Sequence, residues 1–148
     1  MYNIWNINMN KKVFIDSDII LDLLCKREPF YDFAAEVFTL GDTKQIELIT
    51  TSLVFANVFY IIRKLLGIEK AKELLRKLRI IIGVISVDEK IVDLALNSKF
   101  SDFEDGLQYF TARENEIKII LTRNGKDYKE KDLVIQTPAE YLKMIKKR

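Results

Sequence analysis

The chain has 148 residues, with 24 Lys plus Arg against 22 Asp plus Glu, no histidine and one cysteine. The missing histidine and the lone cysteine exclude zinc sites built on His or Cys, Ser-His-Asp and Cys-His nucleophiles, and an internal disulfide. A formal charge of +2 provides no global field for nucleic acid, and 49% apolar with 31% charged residues excludes wholesale disorder.

The length suits one domain, 1–148, with a core of its own. No run approaches the ~18 uninterrupted apolar residues of a membrane span, and Met1–Asn8 lack the pattern of a signal peptide, so a cytoplasmic location without membrane contact is expected. Residues 1–9 read as a frayed extension ahead of the first strand, with Met9 as an alternative start. That strand is Val13-Phe14-Ile15, and it delivers Asp16 to its carboxyl end. Ile19–Leu24 follows as a short apolar helix, with Cys25 at its end a small core residue. Arg27-Glu28-Pro29-Phe30 breaks it. Tyr31–Leu40 has apolar residues at helical spacing and stops at Gly41-Asp42.

Glu47–Thr50 is a short strand, and Thr51-Ser52 caps a long helix, Leu53–Leu66, that ends at Gly67. From Leu53 to Ile62 this helix is apolar all round except at Asn57, which predicts burial on most sides. Glu69–Arg79 is amphipathic. Ile80–Val87 reads as a strand, Asp88 caps a helix through Leu96, and Asp102 opens another through Asn115. Ile117–Thr122 and Val134–Gln136 complete the strands, and Thr137-Pro138 starts a terminal helix through Lys146. Strands separated by helical pairs predict an α/β fold, a three-layer α/β/α sandwich around a mostly parallel sheet of about five strands.

In such a fold ligands bind at the carboxyl edge of the sheet. Four places fall there. Asp16, with Ser17 and Asp18, either caps a helix or begins a site. Asn57 is either a core amide or a neutral ligand beside the acids, and Tyr60 and Lys64 continue its face of the helix toward substrate. Asp102, Glu104 and Asp105 exceed what one cap needs, and a cation would offset their repulsion. Arg123, Asn124, Lys126 and Asp127 occupy the loop after the penultimate strand, where the two bases suit phosphate. If these groups meet, they form a histidine-free carboxylate site for a hard cation, Mg²⁺ or Mn²⁺, of the kind that hydrolyses phosphodiesters.

The runs Val13–Asp22, Ser52–Asn57, Asp102–Tyr109 and Leu121–Tyr128, in that order, resemble those of a PIN domain, specifically the VapC-type toxins. The resemblance spans Lys12 to Leu142. It implies a Mg²⁺- or Mn²⁺-dependent endoribonuclease, a homodimer and a cognate antitoxin. Asp16 matches the first catalytic acid, Asp105 the acid at the start of the later helix, and Ser17 the small hydroxyl residue after the first acid, while Asp18 stands where asparagine is usual. The second and fourth acids of the family fall on Asn57 and Asn124, a loss of charge that Asp127 foremost, or Asp18, Asp102 and Glu104, would offset. The resemblance also puts Asn57 in a subgroup with asparagine at the second acid. Two alternatives stand beside the nuclease: a catalytically weak scaffold of this family that binds RNA or an antitoxin, and a haloacid-dehalogenase-like phosphatase started by Asp16-Ser17-Asp18. A receiver domain ranks lower, since its phosphoacceptor would not call for the later acids.

Overall fold

The computed structural model describes residues 12–128 and 132–147, with Asp127 through its backbone alone. The expected extension over 1–9 and the side-chain role expected of Asp127 lie outside the described residues.

Five strands form one wholly parallel sheet: β1 (Lys12–Ile15), β2 (Glu47–Thr51), β3 (Ile82–Ile85), β4 (Ile119–Leu121) and β5 (Val134–Gln136), in the order β3-β2-β1-β4-β5. Side chains alternate across β1, so its three apolar residues serve two cores. Val13 and Ile15 join Leu48, Ile119 and Leu121 on one face, while Phe14 joins Ile49 and Ile120 on the other. All three are fully buried, each contributing about 1.5–3 kcal/mol. The first face is covered by α1 (Ser17–Leu24), α2 (Tyr31–Asp42), α3 (Ser52–Leu66), α4 (Ile68–Ile81) and α7 (Pro138–Lys146). The second is covered by α5 (Glu89–Leu96) and α6 (Phe103–Glu114). This is the expected three-layer sandwich.

From β1 the chain builds outward through β2 and β3, then returns to the other side for β4 and β5. The direction reverses between β1 and β4, so their carboxyl ends flank the crevice where such sheets place ligands.

Several boundaries differ from expectation. The helix α3 is buried along one stripe, Val54, Val58 and Ile62, whereas Ile61, Leu65 and Leu66 are exposed and Tyr60 is 54% exposed. Its apolar sequence therefore reflects an outer face left uncovered among the described residues, not burial on most sides. The helix α4 continues to Ile81, leaving Ile80 82% exposed, so the β-branched run was only half strand. Gly41 lies inside α2 instead of ending it, and a Cβ there would collide with the Leu48 side chain of β2.

Candidate active site

Asp16 caps the helix and also stands in the crevice. Its Oδ1 accepts from the Ser17 N–H at 2.7 Å, and more weakly from the Ser17 hydroxyl at 3.4 Å. Its Oδ2 accepts from the Thr122 hydroxyl at 2.8 Å, at the end of β4. Gln108 of α6 lies near enough to favour its charged form. The carboxylate is 5% exposed, and burial raises its pKa, opposed in part by the donors of Thr122, Ser17 and Gln108.

Asp18 lies beside it on the first turn of α1. Its Oδ2 accepts from the Arg123 backbone N–H at 2.9 Å, with the Thr122 hydroxyl at 3.5 Å. Its Oδ1 is buried and finds no hydrogen-bond partner among the described residues. Burial, then repulsion from Asp16, pushes the Asp18 carboxyl up to about 6. A buried and a half-buried acid in mutual repulsion, the second with an orphaned oxygen, form a site short of positive charge.

The opposite bank is the start of α6. Asp102 is its N-cap, accepting from the Asp105 N–H at 3.1 Å, and Asp105 is half-buried. Buried Tyr128 ties the banks together. Its hydroxyl donates to Gln108 Oε1 at 3.3 Å, and its pKa is raised by burial and then by the charges of Asp16, Asp105, Asp18 and Asp102. The charges of four carboxylates thus act on one phenol. Among the described residues, however, no three acids are gathered closely enough to enclose a metal ion. In kind the donors fit a hard divalent cation: all are oxygens, and the Asp18 Oδ1 is left over.

Asn57 is half-buried, and its amide donates to Glu104 Oε2 at 3.0 Å. It is therefore no core amide but a bridge from α3 to the α6 acids. Asn124 is exposed, and its backbone N–H donates to the Thr122 hydroxyl oxygen at 3.1 Å. Lys64 and Lys126 are exposed, and Tyr60 carries the Arg63 guanidinium over its ring at 5.2 Å. Arg123, expected at phosphate, instead directs its guanidinium at Asp22, with Nε and Nη2 at 2.8 and 3.0 Å, and stacks over Phe30.

Four residues around these acids were not singled out from sequence: Thr122, Gln108, Tyr128 and Asp22. Asp22 left a signal, because an acid inside the apolar run Ile19–Leu24 requires a cationic or hydrogen-bonding partner. Thr122 and Gln108 left none, since donors that hold a carboxylate have no periodicity.

A model of the PIN domain family matches residues 12–126. This chain belongs to the PIN domain family. Ribonuclease VapC1 of Aquifex aeolicus (strain VF5) is 27% identical over 136 residues, a stretch covering 89% of this chain and 94% of that protein. VapC20 of Mycobacterium tuberculosis, a toxin that cleaves the sarcin-ricin loop, superposes with a TM-score of 0.62 at 15% identity, over 78% of this chain and 92% of that one. VapBC2 from Rickettsia felis, bound to a DNA fragment from its promoter, gives 0.67 at 16% identity over 85% and 98%. A toxin-antitoxin complex from Klebsiella pneumoniae gives 0.65 at 17% identity over 85% and 97%. At such identities the structures establish the fold alone. The PIN match over the motif-bearing strands and helices does not favour the phosphatase or the receiver domain.

Proposed function

We propose that this PIN domain is a divalent-cation-dependent endoribonuclease that hydrolyses RNA phosphodiester bonds, acting as the toxin of a type II toxin-antitoxin pair. The observation that carries the reading is the Asp16–Asp18 pair at the β1–β4 switch point, with raised pKa values and an orphaned Asp18 oxygen. The VapC1 relative supports the substrate class, and the VapBC complexes support a protein antitoxin as partner. A single domain over 1–148, a homodimer and a cytoplasmic location belong to the same proposal.

Asp16 and Asp105 would hold Mg²⁺ or Mn²⁺, aided by Asp18 and Asp102, and by Asp127 where the family has an acid in that loop. When bound, the cation supplies charge neutralisation, polarisation of a phosphoryl oxygen and a lowered pKa for an attacking water. The chain's own residues do the positioning. Ser17 and Thr122 hold one oxygen each of Asp16. Gln108 favours the charged form of the same carboxylate from α6 and is itself held by the buried Tyr128 hydroxyl. Asn57 steadies Glu104 at the mouth, and Lys64 and Lys126 are the exposed bases available to the phosphate backbone.

Cleavage of structured RNA with Mn²⁺, lost in Asp16→Asn and in Asp105→Asn, is the expected result. Cleavage that survives both substitutions would sink the site assignment. A second reading, a PIN scaffold that binds RNA or an antitoxin without cutting, is favoured by Asn57 and Asn124 at acid positions and by the open arrangement of the acids. RNA binding with no cleavage under any divalent cation would select it.

A further inference from the structure

We propose that Asp22 and Arg123 form a latch that sets the position of the loop holding Asp16 and Asp18, which makes them positioning residues. Their effect on cleavage rests on the nuclease reading above, but the latch itself does not.

The geometry is unusual in pinning one residue twice. Asp18 and Asp22 lie one turn apart on the same side of α1. Asp18 accepts from the backbone N–H of Arg123, and Asp22 accepts from its guanidinium through two bonds of 2.8 and 3.0 Å. Residue 123 is thereby attached to consecutive turns of the same helix by main chain and side chain together. The Phe30 ring closes the third side, with the guanidinium carbon 3.9 Å from its centroid. Thr122, one peptide back, then presents its hydroxyl to Asp16 at 2.8 Å.

Stability alone does not account for such a pair. Asp22 is 1% exposed, and taking a carboxylate out of water costs about what the ion pair returns, so an apolar pair of similar volume would serve the fold as well. What the planar fork adds is a fixed orientation. The loop from Thr122 to Asn124 leaves the sheet at the crevice, and such loops move unless tied down. The tie is placed where it governs the donors to both acids. Arg123 accordingly acts on substrate through Asp16 and Asp18, and its guanidinium is committed away from phosphate.

Amide hydrogen exchange of the cation-free protein tests this directly. In Asp22→Asn and in Arg123→Lys, the Arg123 amide should exchange about tenfold faster or more, while the β4 amides of Ile120 and Leu121 keep their protection. Mn²⁺ binding, followed by electron paramagnetic resonance, should weaken by about tenfold or more. On RNA, kcat should fall by about tenfold with KM little changed. Unchanged protection of the Arg123 amide in Asp22→Asn overturns the latch. If the wild type neither binds Mn²⁺ nor cuts RNA while the amide still loses protection, the latch stands and the nuclease reading fails. Should Asp22→Asn not fold, Phe30→Leu removes the ring without stranding a charge. It should accelerate exchange at Arg123 alone, and no change there counts against the latch.

Discussion

The Asn57 amide on α3 meets the Glu104 carboxylate on the first turn of α6 at 3.0 Å, joining residues 47 apart in sequence. The bond brings the position where the family usually has its second acid to the carboxylates on the far side of the crevice. Asn57→Asp replaces an attraction by a repulsion and adds a charge at the mouth. Without cation, stability should fall by about 0.5–1 kcal/mol, as befits a partly exposed pair. With cation the sign reverses, because affinity follows the number of charged ligands. Calorimetric titration with Mn²⁺ should show tighter binding than the wild type; unchanged affinity would place residue 57 outside the reach of the ion.

Thr122 carries more than its size suggests. Its hydroxyl donates to Asp16, lies 3.5 Å from Asp18 and accepts from the Asn124 N–H. Thr122→Val keeps the shape and strands a buried carboxylate oxygen, which costs about 1–3 kcal/mol. Thr122→Ser keeps the hydroxyl and should cost little. Urea denaturation of the two variants checks this, and equal midpoints would show that the Thr122–Asp16 bond contributes nothing.

Stability of the cation-free protein should depend on pH in a direction opposite to that of most carboxylates. The Asp18 carboxyl is raised from 3.8 to about 6, and Asp16 is raised as well. A group whose pKa is higher in the folded state binds protons more tightly there. Its contribution is fully present below the unfolded value and is lost as pH rises through the folded one. From Asp18 alone the loss is on the order of 2 kcal/mol between about pH 4 and pH 7. Thermal melts in a chelator across that range should show the trend, and Asp18→Asn should flatten it. A melting temperature that rises with pH in the wild type would contradict the burial of an uncompensated charge.

Sequence carried the framework well where pattern and burial coincide. Val13-Phe14-Ile15 reads as a central strand because both its faces are covered, and Val134–Gln136 was placed to the residue. The run Ile80–Val87 reads as a strand, yet Ile80 and Ile81 end α4, because a short β-branched run suits a helix end as well as a strand. Within the site, Asp16 was legible as a strand-end acid ahead of a helix. Arg123 reads from sequence as a base for phosphate, whereas its bidentate partner Asp22 lies 101 residues earlier and no local pattern links them. The apolar sequence of α3 predicts burial that its outer face does not have, because composition cannot distinguish a covered face from one left open.

Gln108 shows why a neutral side chain can matter most in an acidic site. It is buried on α6, favours the charged form of Asp16 and takes the Tyr128 hydroxyl on its Oε1 at 3.3 Å. Gln108→Leu removes a donor from one buried carboxylate and an acceptor from one buried phenol, so it should destabilise by about 2–3 kcal/mol or more. Gln108→Glu is close in size but sets a further charge against Asp16. Without cation it should be the worse variant, since repulsion is added to a lost donor. Saturating Mn²⁺ should restore Gln108→Glu and leave Gln108→Leu impaired, because an added carboxylate binds the ion more tightly in the folded state than in the unfolded one. Melting temperatures of both variants with and without Mn²⁺ decide the matter. If Mn²⁺ rescues neither, Gln108 serves the packing of α6 and has no part in holding the acids for a cation.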